Sequence, residues 1–463
     1  MRIKPAVKIP VSLLKDAIKF KEDTPSEITY ICTDSRICEP YDLFIPLAQK
    51  PEEAAMHIKE AKSRGALIPN ECEASKAHNG VALLLDIASA YKQLLPSLIH
   101  TVGITGSVGK TTVKNMTGHI VSQSFRAHIT RGNFNNHIGL PITLLSAPID
   151  TEVLILEMGM NHTGEISRLS ACSRPDISVI TNIGTSHIGN LGSQRRIAEA
   201  KLEIMHGMTG GTLLYPHADP YITELTNSQN GHNARKNTTP TLTLTFSVSD
   251  KAASYSLINN GFEWIFLTPD EESSPLALPY AQPHLLLSLL TAMAASHLCG
   301  IDVKSISEAV LSMSRDLLRH KLTAKGRYYV LNDAYNASCE SVIAAFDTLS
   351  QIDSPVRSAL LGDILEAGEY APAIHTRIGE EAGKAGLNRL YLTGEFSECI
   401  RRGAISHGMD EKNIFIIQKT DNFEDIATII NGMLSDGEVV LIKASHGTGL
   451  HKVAEILEGG NSD

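Results

Sequence analysis

No stretch of this chain approaches the ~20 consecutive apolar residues that a membrane-spanning helix requires. The basic N-terminus, MRIKPAVKIPVSLLKDAIKF, lacks a continuous apolar core with a small-residue cleavage site, so no secretory leader is expected. The seven cysteines (Cys32, Cys38, Cys72, Cys172, Cys299, Cys339, Cys399) are odd in number and form no C-x-x-C pair. That argues against zinc and disulfide frameworks and for reduced thiols in a cytoplasm. Positive charge is in deficit: 41 Lys and Arg against 51 Asp and Glu leave a formal charge of −10. Nucleic acid or an anionic membrane is therefore a poor candidate for the main partner, although local positive charge in one cleft is enough for a small anion. No internal repeat or low-complexity tract occurs. What remains is an ordinary globular composition, and 463 residues suggest about three domains.

The strongest positive feature is TVGITGSVGKTTVKNM, Thr101 to Met116. A short apolar run ending at Ile104 breaks into Gly106, Ser107, Val108 and Gly109, then Lys110, Thr111 and Thr112, and then a helix-compatible segment. Strand, glycine loop, Lys-Thr, helix is a polyphosphate cradle. Glycines let N–H groups turn onto the anion, the helix start adds its positive dipole end, and the lysine adds a full charge. Thr111 stands where a Mg²⁺ ligand is needed. The spacing departs from the common form, with Gly103 one residue too far out and Gly106 inside the loop. A purely structural glycine turn does not require Gly-Lys-Thr, so ATP is the expected ligand.

The pattern along the chain predicts an α/β protein of three domains. Residues 1–97 read as a small α/β unit that binds substrate, with strands at Ile28–Cys32 and Leu43–Pro46 and a helix near Glu52–Arg64. Residues 98–317 read as a central ATP-binding domain with a mostly parallel sheet. Its segments Glu152–Met158 and Ile177–Ile183 are almost wholly apolar, as suits strands covered on both faces. Within it, TNSQNGHNARKNTTP (226–240) reads as a polar, turn-rich stretch, and LTLTFSV and FEWIFL as antiparallel strands. Residues 318–463 form a second alternating series, with strands at Tyr328–Asn332, Val356–Leu361, Arg389–Leu392, Ile414–Ile417 and Val439–Lys443, and are expected to be Rossmann-like.

Several loops carry candidate chemistry. RGNFNNHIGLP brings Asn135 and Asn136 as amides for a polar ligand, or as an ordinary turn. Glu157 ends an apolar strand, the position for a Mg²⁺-binding carboxylate or for a solvated strand-end glutamate. TNIGTSHIGNLGS places His187 at a third strand end, and Lys201 follows on a helix where lysines are commonplace. NDAYNASCES places Asp333 and Asn336 where a carboxylate can meet a ribose hydroxyl or cap a helix. GDILEAGEYAPAIHTRIG is a fifth strand-end loop.

Taken in order, GITGSVGKTT, GNFNNHIGLP, EMGMNHTGEI, the histidine loop and AKLEIM resemble the Mur ligases, ATP-dependent amide-forming enzymes of peptidoglycan precursor synthesis, over nearly the whole chain. NDAYNASCES and GDILEAGE resemble the branch that joins D-alanyl-D-alanine to a UDP-N-acetylmuramoyl-tripeptide, and the D-N-P-R motif of the third-residue ligase is absent. The resemblance implies roles. Residues Gly106 to Thr112 with Arg319 and Asp333 would bind the nucleotide. Thr111, Glu157, His187 and Lys201 would serve Mg²⁺, with Lys201 carbamylated, and Lys110, Glu157, His187 and Lys201 would be the catalytic set. Asp34, Ser35 and Arg36 of TDSR, together with Asn135, Asn136 and Asn336, would face substrate. A cytoplasmic monomer acting on small molecules is the implied setting. Alternatives are another ligase of the superfamily or a nucleotide-binding relative without turnover. The sequence departs from the family pattern at Leu285 and Ser288 on the adenine-side helix, at Leu318 before Arg319, at Ala444 and His446 after Lys443, and in lacking a Gly-His near Gln49–His57.

Overall fold

A computed structural model describes residues 1–14, 25–48, 50–73, 80–232, 242–270, 276, 278, 283–314, 321–418, 420 and 422–459. Arg319 and the expected boundary at 317/318 lie outside the described residues. Three sheet-centred units follow one another, as the α/β reading anticipates.

The N-terminal unit has β1 (Arg2–Ile3), β2 (Ile31–Cys32) and β3 (Leu43–Phe44) in one small sheet, with a separate pair formed by Ile9–Pro10 and Glu27–Ile28. Its helices are α1 (Pro51–Ser63) and α2 (Gly80–Lys92). Helix α1 begins on a proline in its first turn followed by Glu52 and Glu53, which suit a helix start. Helix α2 buries Leu84, Ile87, Ala88 and Tyr91.

The central unit runs β4 (His100–Thr105), α3 (Lys110–Val121), β5 (Ala127–Ile129), α4 (Gly139–Leu145), β6 (Val153–Glu157), α5 (Glu165–Ser173), β7 (Ile177–Ile180), α6 (Ile188–Leu191), α7 (Gln194–Leu202), β8 (Thr212–Pro216), α8 (Pro220–His232), β9 (Leu242–Val248), β10 (Tyr255–Asn259), β11 (Trp264–Leu267), α9 (Pro283–Leu298) and α10 (Val303–Leu311). The eight strands lie in the order β11-β10-β9-β8-β7-β4-β6-β5. All neighbours are parallel except β10 and β11. Every residue of β6 and β7 is buried, as expected for strands covered on both faces. Strand order reverses about β4, with β5 and β6 on one side and β7 and β8 on the other, so the carboxyl end of β4 faces the crevice where such sheets take ligands.

Two expectations fail here. LTLTFSV is not antiparallel: β9 pairs in parallel with both β8 and β10, and the reversal comes one strand later, at β11. The polar stretch after Thr226 is helical as far as His232, because α8 starts on Pro220 and packs Ile222 and Leu225 inward; residues 233–240 of that stretch lie outside the described residues.

The C-terminal unit runs β12 (Lys321–Lys325), β13 (Tyr328–Asn332), α11 (Cys339–Ser350), β14 (Arg357–Leu361), α12 (Ala371–Lys384), β15 (Arg389–Leu392), α13 (Ser397–Ser406), β16 (Ile414–Ile416), α14 (Phe423–Met433), β17 (Val439–Lys443) and α15 (Leu450–Glu458). Its sheet is ordered β12-β13-β17-β14-β15-β16, parallel except for β12 against β13. Pairing of Asn332 with Ile442 sets the ends of β13 and β17 side by side, facing the central unit's phosphate loop.

Candidate active site

The loop after β4 is built for close approach. Gly106 has φ 151°, and a Cβ there would sit 1.8 Å from Thr181 Oγ1, so both backbone and space require glycine. Thr181 Oγ1 donates to Val108 O at 2.6 Å, and Asn182 brackets Val108 by accepting from its N–H at 3.0 Å and donating to its carbonyl at 2.9 Å. Ser107 Oγ accepts from Gly184 N at 2.9 Å. The end of β7 thereby clamps the phosphate loop, and α3 starts at Lys110, its N-terminus directed at the loop without a side-chain cap from Gly109. Lys110 Nζ curls over the loop to Gly106 O (2.7 Å) and Ser107 O (3.2 Å).

Glu157, buried at the end of β6, is the hub next to it. Its Oε2 accepts from the Thr111 hydroxyl at 2.8 Å and its Oε1 from the Asn135 amide at 2.8 Å. Lys114, itself buried one turn beyond Lys110, lies 3.7 Å from the same carboxylate. The solvated strand-end alternative for Glu157 is therefore wrong. Asn136 serves the backbone, accepting from Ile138 N and Gly139 N at the start of α4.

His187 has a left-handed backbone (φ 63°), and its Nδ1 is hydrogen-bonded to the Glu366 carboxylate of the C-terminal unit. Burial pushes its pKa below the usual histidine range, against the upward pull of Glu366. Lys201, in the last turn of α7, is 1 % exposed. Burial first, and then the Lys110 cation, push its pKa far below the usual lysine range, and among the described residues no carboxylate pairs with it.

From the opposite side, Lys443 is buried and donates to Asp333 Oδ2 (2.5 Å), Asp333 O (3.4 Å) and Asn336 O (3.0 Å). Helix capping does not explain Asp333: the cap of α11 is Ser338, in a reciprocal box with Ser341.

A cleft of about 440 Å³ lies among these groups. Of the expected residues, Ser107 to Thr112, Asn135, Asn136, Glu157, His187, Lys201, Asp333 and Asn336 meet there, and Gly106 shapes the loop behind it. Asp34, Ser35 and Arg36 do not reach this cleft. On the N-terminal unit Asp34 pairs with Arg36 and caps the turn Ser35–Ile37, which holds its carboxyl below the usual range, and Ser35 donates to Glu60. Sequence reasoning missed Lys114, Lys443, Glu340 and Glu366 as members of the network. Lys114 could have been found from its place four residues after Lys110, on a helix face otherwise filled by Val113, Met116, Thr117 and Ile120.

Oxygen donors Thr111 and Glu157 suit a hard cation such as Mg²⁺. Among the described residues no cluster of three or more His, Cys, Asp and Glu can hold a metal alone, which fits an ion whose remaining ligands are phosphate and water.

A phosphate loop, a buried carboxylate beside its threonine and a second doubly wound unit facing both define the class: an enzyme built around a nucleotide triphosphate. The sequence matches the profiles of the Mur ligase middle domain over residues 104–296 and of the Mur ligase, glutamate ligase domain over 319–446. A UDP-N-acetylmuramoyl-tripeptide–D-alanyl-D-alanine ligase of Bacillus subtilis is 31% identical over 98% of both chains. One of Synechocystis is 31% identical over 96% of this chain and 95% of its own. Among solved structures, a MurF from Acinetobacter baumannii superposes with a TM-score of 0.82 at 23% identity, covering 98% of this chain and 99% of its own. A Thermotoga maritima MurF ligase in complex with ADP gives 0.71 at 23% identity over 92% and 96%. The chain belongs to the Mur ligase family, ATP-dependent amide-forming enzymes with this three-domain α/β fold.

Proposed function

We propose that this protein joins D-alanyl-D-alanine to a UDP-N-acetylmuramoyl-tripeptide at the expense of ATP, in the cytoplasm, during peptidoglycan precursor synthesis. The observation that carries this reading is the full-length likeness to the Bacillus subtilis ligase of that name. In the division of labour we favour, residues 1–97 hold the UDP-sugar, with Asp34, Ser35 and Arg36 near it. Residues 98–317 hold ATP, and residues 318–463 close over the site.

The chemistry must bring two anions together. Lys110 and the first amides of α3 hold the β- and γ-phosphates and offset their charge. Thr111 and Glu157 are the residues to hold Mg²⁺, with His187 and Lys201 beside them for a second ion; bound there, the metal neutralises charge on the transferring phosphoryl group. Asn135 fixes Glu157 in place, Asp333 with Lys443 serves the nucleotide from the other wall, and Asn336 beside them faces substrate; Arg319 is proposed as a further nucleotide-binding residue. The substrate carboxylate takes the γ-phosphoryl group, giving an acyl phosphate and ADP. The neutral amine of the dipeptide then attacks the acyl carbon, and phosphate leaves as the amide forms and a proton is lost. Lys110 is placed to stabilise the oxyanion of that second step.

Lys201 poses a separate question. A buried amine next to Lys110, without a carboxylate partner among the described residues, is an expensive cation. We propose that its neutral amine adds CO₂, forming an N–C bond and releasing a proton, so that a carbamate anion stands at the metal side of the cleft.

Incubation with ATP, Mg²⁺, the UDP-linked tripeptide and D-alanyl-D-alanine should release ADP and phosphate stoichiometrically with the amide. No release above background, or faster turnover with a different amine or acceptor in a panel, would reject the assignment. Lys110→Ala should abolish turnover. Lys201→Ala should lose most activity and regain part of it with added short carboxylic acids; full activity without them removes the carbamate.

A further inference from the structure

Among the described residues, the histidine loop is the segment of the central unit that side chains of the C-terminal unit hold at several points along its length. Near its start, Glu340 accepts from Thr185 N (2.9 Å) and from the Thr185 hydroxyl (3.1 Å). In its middle, Glu366 takes His187 Nδ1 through its carboxylate and accepts from Gly189 N through its backbone carbonyl (2.9 Å). At its end, the Tyr370 hydroxyl donates to Gly192 O (2.8 Å). His187 and Glu366 have φ of 63° and 60°; they are two of the six non-glycine residues with positive φ among the described residues, and they touch each other across the seam. Backbones of this kind persist where their surroundings hold them. The fit is tight: a Cβ on Gly189 would lie 2.6 Å from both Glu366 O and Gly368 N.

We propose that Glu366 is a positioning residue for the ligase reaction: acting from the C-terminal unit, it fixes the ring of His187, so that the catalytic cleft is complete only while the two units are docked. This deepens the reading of the site given above and rests on the role of His187 there. The physical argument is one of proton placement. A carboxylate on Nδ1 requires the hydrogen of the neutral ring to be on that nitrogen, which leaves Nε2 with a bare lone pair. A ring without this anchor can carry its hydrogen on either nitrogen and rotate. The partner that selects the active arrangement therefore sits on the other unit, and assembling the site requires that the two units be docked.

Five variants test this. Glu366→Ala should lower kcat by about 10- to 100-fold, as removal of an orienting partner does. ADP affinity, measured by calorimetry, should stay within about threefold, because Glu366 does not line the cleft. Glu366→Gln should recover most of the rate, since its amide oxygen accepts the same Nδ1 hydrogen. Adding Glu366→Ala to His187→Ala should cost nothing further, the signature of two residues acting as one. Gly189→Ala should reproduce the loss of kcat through steric exclusion while its melting temperature is unchanged or raised, because alanine is the better residue within α6. Hydrogen exchange needs no turnover: with ADP bound, amides 184–192 should exchange at least about fivefold faster in Glu366→Ala and Gly189→Ala than in the parent. Wild-type kcat in Glu366→Ala, multiplicative losses in the double variant, or unchanged exchange at 184–192 would each overturn the proposal. A parent enzyme that fails to form the amide, yet shows the exchange difference, would instead overturn the assigned reaction and leave the seam standing.

Discussion

At the scale of single residues, the charges around Glu157 are the most finely balanced part of the molecule. Glu157 and Lys114 are both buried, 3.7 Å apart, and Lys114 also reaches Gly132 O at 3.4 Å. Removing one member of such a pair leaves the other buried without its counter-charge, at a cost of about 3–5 kcal/mol. Lys114→Met is therefore expected to lower the urea midpoint sharply, and Glu157→Gln added to it should restore part of the loss. A Lys114→Met protein as stable as the parent, or a double variant weaker than the sum of the singles, would contradict the pairing. The legibility of the site divides along the same line. Lys110, Thr111, Glu157 and His187 could be read from sequence because phosphate and cation chemistry demands those residue types at strand ends. Lys114 carries a weaker signal, its place four residues after Lys110 among residues that are buried: helical lysines are ordinarily solvated, and the depth of the β4–β6 crevice makes this one exceptional. Glu366 was hidden for a different reason: its partner lies 179 residues away, and no local pattern announces a contact between units.

At the scale of elements, the C-terminal end of α5 shows two effects in competition. Its last carbonyls, Ser173 O and Arg174 O, accept from Lys92 Nζ of α2 at 2.5 and 3.1 Å. A cation at a helix C-terminus is favoured by the dipole, typically by about 0.3–1 kcal/mol. Burial outweighs it here and pushes the Lys92 pKa down to about 8 from 10.5. The folded value lies below the unfolded one, so between pH 8 and 10.5 the unfolded chain binds more protons and folding gains stability as pH rises. Relative to Lys92→Met, the parent should gain up to about 3 kcal/mol across that window, and a flat difference curve from denaturant titrations would refute the burial argument. Elements were legible where their periodicity was unmixed. The apolar strands β6 and β7 and the helix after the phosphate loop fall within a few residues of expectation. Strand β9 misled because its alternating Leu-Thr pattern, half-exposed near the sheet's far end, imitates an antiparallel strand. Helix α8 misled because its polar second half carries the residues of a turn, while its proline start and two buried aliphatics fix it as a helix.

At the scale of the whole molecule, the three units are not equally independent. The N-terminal and central units share an interior: Tyr91 of α2 is fully buried, donates its hydroxyl hydrogen to Ala147 O after α4 (2.8 Å) and accepts from Ala6 N (3.2 Å). The Cys172 thiol of α5 reaches back to Leu85 O (3.2 Å), and α2 packs against both α4 and α5. The C-terminal unit is attached by the hydrogen bonds of the histidine loop, by α6 against the turn Gly368–Tyr370, and by His284 with Thr348 (3.4 Å). A buried helix that spans two sheets should make them melt together, whereas the C-terminal unit, held by a seam in which polar contacts sit beside buried apolar residues such as Ile188, Leu191, Ile364 and Ala367, should separate more easily. Calorimetric scans are thus expected to resolve two transitions, one for the N-terminal and central units jointly and one for the C-terminal unit. Tyr91→Phe removes the donor to a buried carbonyl, a loss of about 1–3 kcal/mol, and should lower only the joint transition, by roughly 2–4 °C for each kcal/mol in a block of this size. A third transition for the N-terminal sheet alone, or a shift of both transitions by Tyr91→Phe, would show that the shared core does not couple the units as the packing requires.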